Sequence, residues 1–359
     1  MKLNETESIR IVDSHNNLNL YHYSECDSNS SDNRKSMRGT IIDSVTGKTV
    51  MQSFPYTQEI VWEEGVHLPF IGKRNRYFTS VEGTIIRVFH HNGTWFTSTH
   101  KRINSYTSRW GGPISFGEFF QQAVEIATKK PFNEFFTLLN PEHQYIFLLY
   151  STVQTRIVTP GTDYPIVSLI ATVINDKFVF DTNLPGFFSQ YQLRFDASVS
   201  EDENVKLIIN DYNNSLYAQG LFVVSEDENG ITRFYKVLTP LNSELVKLRG
   251  NTFDIGSRYL EIRTTPKVAM FTDLYREHMT TFMFIESQLG RIVHIITSKY
   301  IERFVKGRYA PVHRMLYPFM KYVREHTMKN NCRVNTMVVW RCLVEQQPSY
   351  LLKMIYAGF

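Results

Sequence analysis

Between residues 38 and 263 the apolar positions fall in short runs, many alternating with polar ones, and turn residues interrupt them at close intervals. A period of two is the signature of strands with one buried face. Strands are therefore expected at 40–43, 49–54, 83–90, 94–99, 144–150, 166–174, 207–209, 220–225 and 233–237. His91-Asn92-Gly93 marks a hairpin turn between two of them, because Asn and Gly accept the left-handed backbone that tight hairpins need. Helices are expected at 115–129 and 191–198. Beyond Asp273 the period lengthens: 274–288, 293–305, 312–326 and 335–345 carry apolar residues at i, i+3, i+4 and i+7, the spacing of one helix face. Residues 14–36 are rich in Asn, Ser and Asp and read as a partly mobile leader flanking one strand near 18–23. The pattern predicts an α+β chain: a polar leader (1–36), a domain of antiparallel sheets with flanking helices (37–265) and an all-helical domain (266–359). There is no internal repeat.

Composition narrows the class. Of 359 residues 42% are hydrophobic, including 26 Phe and 20 Tyr, which supplies a large core and excludes wholesale disorder. No apolar run approaches the roughly 18 residues of a membrane span, and the polar N-terminus has no signal-peptide core. Three cysteines are too few and too scattered for a disulfide framework or a zinc knuckle. The expectation is an intracellular, cytoplasmic protein with no membrane partner. Charge changes the picture more. From 273 to 359 thirteen Lys and Arg stand against six Asp and Glu, a net of +7, so the remainder is negative within a total of +4. A basic helical third suits a polyanion, although an ordinary solvated helix face would have the same composition.

No general catalytic motif stands out: there is no phosphate loop, dinucleotide fingerprint, zinc-protease helix or nucleophile elbow. His90-His91 reads as part of a hairpin rather than as a metal pair. The order of several weaker segments is more informative. Met37-Arg38-Gly39-Thr40-Ile41-Ile42-Asp43, Thr46-Gly47-Lys48 and Ser53-Phe54-Pro55-Tyr56 come first. Ser80-Val81-Glu82-Gly83-Thr84-Ile85-Ile86 follows, then Thr97 to Arg102 and Ser108 to Gly111. Leu139 to Leu148 running on to Arg156-Ile157-Val158, Ala218-Gln219-Gly220-Leu221-Phe222-Val223, and Phe234 to Leu238 with Leu245 to Asn251 behind it complete the series. In this order the segments resemble RNA ligases of the covalent nucleotidyltransferase superfamily, in particular the phage-type RNA ligase 1 branch. The resemblance covers residues 38–251 and implies a ligase-like fold with a nucleotide pocket between two sheets.

The departures from that pattern bear on chemistry. Where the family places the lysine that attacks the nucleotide α-phosphorus, this chain has Ser80, followed by Glu82 in the place of an aspartate and by Gly83. Leu148 and Gln219 stand where the resemblance puts carboxylates for metal and ribose; leucine cannot ligate Mg2+, and a neutral amide does so poorly. Of two lysines in the last motif Lys236 is kept and the second is Leu238. Four losses inside a retained apolar scaffold imply a pseudoenzyme without a metal cofactor, in which nucleotide binding does not require one.

Three functional readings follow. The first is a non-catalytic RNA- or nucleotide-binding protein, suited to an mRNA 5′ end or to a viral RNA-handling complex. Its pocket would use Arg87, His100, Lys101, Arg102, Arg109, Trp110 and Lys236, with Arg87 and Lys236 on phosphates and Trp110 or Tyr77 stacked on a base. A core ring is the favoured alternative for Trp110, and a solvated strand edge the alternative for 100–102. Its basic helical face would add Lys299, Arg303, Lys306, Arg308, Arg314, Lys321 and Arg324. The second is an interaction subunit that keeps only the scaffold and packs its C-terminal aromatics (Tyr300, Phe304, Tyr309, Tyr317, Phe319, Tyr322, Trp340) on a protein partner. The third is an active ligase whose nucleophile has moved to Lys73, Lys101 or Lys236.

Overall fold

The computed structural model describes residues 8–110, 112–153 and 155–358. The first seven residues of the polar leader, Gly111 of the matching segments, Gln154 and Phe359 lie outside the described residues. The chain divides into two compact units at Lys247/Leu248, earlier than the change of hydrophobic period at 264–275.

The first unit opens with an antiparallel sheet of β1 (Ile9–His15), β2 (Leu18–Tyr23), β3 (Thr40–Asp43) and β4 (Thr49–Met51), in that order, with a short helix α1 (Asp32–Ser36) between β2 and β3. Residues 9–15 and 18–23 of the leader thus form two strands of this sheet. Leu18 and Leu20 alternate inward from β2 and are buried at 2% and 0% exposure. Strands β5 (Thr57–Val61) and β6 (Arg74–Ser80) follow, then β7 (Thr84–His91) and β8 (Thr94–Ser98). The β7–β8 loop is the expected two-residue turn, with Asn92 and Gly93 at φ 48° and 78°. Both residues need positive φ in this turn type.

Helix α2 (Phe116–Thr128) starts at a capping box in which Ser115 and Glu118 satisfy each other's backbone N–H groups. α3 (Phe132–Phe135) leads to β9 (Gln144–Leu149), β10 (Val167–Ile174), β11 (Lys177–Val179) and β12 (Phe188–Ser189). α4 (Glu201–Tyr212), β13 (Gly220–Glu226), β14 (Thr232–Leu238) and α5 (Pro240–Arg249) complete the run. The second sheet has the order β11-β10-β9-β7-β8, with β12 added beside β10; the third has the order β5-β14-β13-β6.

Two expectations are overturned here. Residues 207–209 lie inside α4, not in a strand: Ser200 caps the helix, three acidic residues fill its first turn, and Val205, Ile208, Ile209 and Tyr212 recur at helical spacing. A three-residue apolar run does not carry enough periodicity to choose. Residues 191–198 form no helix; they run irregularly along β6, where the Leu193 N–H donates to Tyr77 O at 2.7 Å and Phe195 stacks on Tyr77.

Period-two alternation sorts both large sheets into faces. On β9, Tyr145, Phe147 and Leu149 pack toward α2 and α3, while Ile146 and Leu148 join a separate inner core. On the third sheet Tyr77, Leu221, Val223, Tyr235 and Val237 face α4. Phe78, Phe222 and Phe234 face the inner core. At its centre Phe54 lies 5.3 to 6.0 Å from the rings of Phe178, Phe180, Phe222 and Phe234.

The second unit is helical. α6 (Ile255–Ile262), α7 (Val268–Leu274), α8 (Met279–Tyr300), α9 (Tyr317–Lys329), α10 (Thr336–Val344) and α11 (Pro348–Ile355) surround a core that includes Phe271, Phe282, Ile285, Leu289, Phe319 and Leu343. Two expected helices merge into α8, which passes through Gly290 and continues in a π-helical turn, Ile301–Val305. One glycine costs a helix only about 1 kcal/mol, which a buried face outweighs. Among the described residues no helix is long and apolar enough to cross a membrane.

Candidate functional site

In the first unit a cavity of about 660 Å³ opens between the inner faces of the second and third sheets. Its position follows from strand alternation. Ser80 closes β6 on the same face as Phe78, and Lys236 sits on β14 on the same face as Phe234, while Ile85, Leu148 and Ile170 oppose them from the second sheet. Register brings the segments together: Ser80 pairs with Gly220, and Lys236 with Phe222. Segments distant in sequence thus supply one wall.

The polar groups of that wall form a chain. Ser80 Oγ donates to Gln219 Oε1 at 3.2 Å, and Lys236 Nζ reaches the same oxygen at 3.5 Å. Burial pushes the Lys236 ammonium below the usual lysine range; Glu59 on the paired strand β5 pulls it back, and Arg38 pushes it down further. Arg38 also lines the cavity and donates to Thr57 Oγ1 at 3.3 Å. His100 Nε2 lies 2.6 Å from Ser53 Oγ. Burial, and then the charges of Arg87, Arg38 and His22, hold its pKa well below the ordinary histidine value, so it is neutral at pH 7. Lys101 and Arg109 reach the rim, both exposed.

Among the described residues one carboxylate lines the cavity, and it is committed to the fold. Glu82 is 6% exposed and accepts from three successive backbone N–H groups: Ile157, Val158 at 2.7 Å and Thr159 at 2.9 Å. It is a clamp on the 157–159 segment, where Arg156 also donates to Val158 O at 2.9 Å. Next to it Gly83 admits no side chain, since a Cβ there would lie 2.7 Å from Leu149 O and 2.8 Å from Leu148 Cδ1. Beyond Gly83 the space continues into a side lobe of about 240 Å³ lined by Trp110, Phe116, Phe119, Tyr150 and Thr155.

Divalent metal does not suit these residues. Glu82 already accepts from three backbone N–H groups, Leu148 offers no ligand and Gln219 Oε1 is engaged by Ser80 and Lys236. Among the described residues no group of three or more His, Cys, Asp or Glu is placed to hold a metal ion. What converges instead is positive charge beside aromatic surface.

The structure brings Ser80, Glu82, Gly83, His100, Lys101, Arg109, Trp110, Leu148, Gln219 and Lys236 to one cavity. It separates others from it. Arg87 is fully buried on β7 and donates to Gly39 O and Thr99 O, so it braces the β3 approach and the 99–100 turn and cannot meet a phosphate. Burial moves its pKa down to about 9, which leaves it charged at neutral pH. Arg102 points away and pairs with Asp13 at 3.4 Å. Leu238 does not line the cavity. Tyr77 is on the opposite face of its sheet, 5% exposed, with its hydroxyl on Glu201 at 2.6 Å. Lys73 is exposed and also outside the cavity. Arg38, Gln190 and Phe222 line the wall and were not marked as site residues, although Arg38 belongs to the first matching segment. The basic helical residues lie in the second unit: Lys306 and Arg308 share Glu302 at 2.7 and 3.5 Å, Lys321 meets Glu325 at 4.0 Å, and Lys299 is half-buried. Tyr300 and Phe319 fill that unit's own core, whereas Tyr309 is 91% exposed.

No family model matches the chain. Two curated relatives are proteins named "Immediate-early protein ICP-46 homolog". The one from Invertebrate iridescent virus 3 is 27% identical over 290 residues, 78% of this chain and 62% of that protein. The one from Invertebrate iridescent virus 6 is 26% identical over 339 residues, 85% of this chain and 74% of that protein. The chain thus spans less than two thirds of the first relative's length. Among solved structures, a putative ATP-dependent DNA ligase from Aquifex aeolicus aligns with a TM-score of 0.39 and 14% identity, over 78% of this chain and 70% of that one. An archaeal ATP-dependent RNA ligase aligns with a TM-score of 0.38 and 11% identity, over 94% and 72%.

Proposed function

We propose that the chain is a non-catalytic nucleotide- or RNA-binding protein that holds phosphorylated nucleotide, such as an RNA 5′ end, in the cavity of its first unit without a divalent metal. The observation that carries this reading is the charge arrangement of the wall. Arg38, Lys101, Arg109 and Lys236 converge there, and the one carboxylate that lines it among the described residues accepts from three backbone N–H groups. Cations can neutralise phosphate oxygens directly, with arginine favouring two-pronged contacts. The aromatic side lobe supports placement of a base, because stacking on an aromatic side chain contributes about 1–3 kcal/mol per base. The ordered motif segments with Ser80, Leu148 and Gln219 in place of the reacting groups support loss of the ligase chemistry. The names of the viral relatives support action during infection, and we place it in the host cytoplasm.

A second reading rests on Lys236 alone. Its amine has a depressed pKa and sits 3.5 Å from the Gln219 oxygen that Ser80 also contacts, which favours it as a displaced nucleophile over Lys73 or Lys101. One preparation separates the two. Binding of radiolabelled ATP, GTP and 5′-triphosphorylated RNA is measured in EDTA, and a denaturing gel is run after incubation with Mg2+ or Mn2+. The binding reading expects EDTA-resistant binding, weakened tenfold or more by Lys236→Ala or Arg38→Ala, and no adduct. A covalent adduct lost in Lys236→Ala would replace it with the second reading.

A further inference from the structure

The positive charge of the C-terminal third is concentrated. Residues 299–333 carry nine Lys and Arg against two Glu, a net of +7, so the rest of 273–359 is neutral overall. Both glutamates are engaged by neighbouring cations: Glu302 by Lys306 and Arg308, Glu325 by Lys321. Among the described residues, Arg303, Arg314 and Arg324 have no carboxylate within ion-pair distance.

Two of these arginines are stacked. The Arg324 guanidinium lies 4.4 Å from the centre of the Phe304 ring, and that of Arg303 lies 5.8 Å from Phe304 and 5.4 Å from Tyr317. The platform is anchored from below. Phe304 meets the buried Tyr300 edge-on at 5.0 Å, and the Tyr300 hydroxyl is 2.7 Å from Thr327 Oγ1 on α9. Arg303 and Phe304 both belong to the π-helical turn that ends α8. Such turns are rare and concentrate at functional sites. A stacked guanidinium keeps its five in-plane N–H donors and its outer face. The donors match phosphate oxygens and the planes match unpaired bases, a combination used for single strands.

We infer that the Arg303–Phe304–Tyr317–Arg324 cluster is a binding surface for single-stranded RNA, on the second unit and separate from the cavity. The choice of RNA rests on the function proposed above. The surface contacts phosphates through both arginines and stacks bases on the same platform, without sequence preference. An acidic peptide would satisfy the charge but would leave the planes unused.

The full chain is tested with a fluorescent 12-residue oligouridylate carrying a 5′-hydroxyl, so that it lacks the phosphorylated end assigned to the cavity. Titrations run from about 50 to 300 mM KCl. Arg303→Gln/Arg324→Gln is expected to weaken binding about tenfold or more and to flatten the log–log salt slope by about 1.4, since each phosphate on a single strand contributes about 0.7. Arg303→Lys/Arg324→Lys should keep the slope and still lose affinity, which a purely structural or purely electrostatic role would not produce. It also guards against misfolding of the glutamine variant. Both variants should bind radiolabelled ATP as wild type does. The inference is overturned if the full chain does not bind the oligomer, if the glutamine variant binds it normally, or if oligoglutamate of equal charge competes as well as RNA. Tighter binding of oligothymidylate would overturn the assignment to RNA. Loss of ATP binding by Lys236→Ala with oligouridylate binding intact keeps the two sites apart. Absence of ATP binding in the wild type would remove the cavity reading while leaving this one to its own outcome.

Discussion

Glu82→Gln is the perturbation whose effect can be worked most directly from the structure. The Glu82 carboxylate holds Ile157 N–H on one oxygen and the Val158 and Thr159 N–H groups on the other, at 2.7 and 2.9 Å for the latter two. The amide has one accepting oxygen. Placed where two donors meet, it keeps Val158 and Thr159 but sets an NH2 group against the Ile157 N–H. One backbone donor is then left unsatisfied, at about 1–3 kcal/mol, and the two remaining bonds lose the strength that the charge lends them. The site is 6% exposed, so water relieves little of this. A local loss of about 2 kcal/mol corresponds to a roughly 30-fold rise in opening. Amide hydrogen exchange, read by NMR or mass spectrometry, should therefore accelerate by about that factor at 157–159 while the α2 amides stay protected. Nucleotide binding should weaken together with it, because Glu82 and Ile157 both line the cavity. Unchanged exchange at 157–159 would refute the clamp, and nucleotide binding lost with exchange unchanged would return Glu82 to direct contact with the ligand.

Other expectations follow from packing and protonation. Phe54→Ala removes the ring that touches four other phenylalanines and should destabilise the first unit by about 3–5 kcal/mol in urea unfolding. Gly83→Ala puts a methyl 2.7 Å from Leu149 O. It should lower the melting temperature and reduce nucleotide affinity together. The folded His100 has a pKa well below its unfolded value of about 6.5, so the unfolded chain binds the extra proton and the folded one does not. Its contribution is complete above that value and declines as pH falls below it, by up to about 1.4 kcal/mol per pH unit. Urea unfolding of His100→Gln at pH 7 and pH 5 should show a shallower decline than wild type; parallel declines would contradict the assignment.

Much of the local structure was legible because its causes are local. The hairpin at 91–94, the capping box at Ser115 and Glu118 and the period of α8 to α10 depend on neighbours within a turn or two. The residues that meet at the cavity were legible as segments, and strand alternation then delivered Ser80 and Lys236 to the same face. Among the site residues, the failures occurred where partners lie far along the chain. Nothing near Arg87 shows that Gly39, 48 residues earlier, covers it, or that Asp13, 89 residues from Arg102, draws that side chain away. Tyr77 looked available for stacking until Phe195 and Glu201 closed over it.

The sequence by itself determined most element types and the basic C-terminal third, since these are matters of residue identity and short-range spacing. The tertiary structure decided which charges remain free to meet a ligand. A charged group's role is set by what is packed against it, and for Arg87, Arg102 and Glu82 those partners were chosen by tertiary assembly rather than by their own neighbours in sequence.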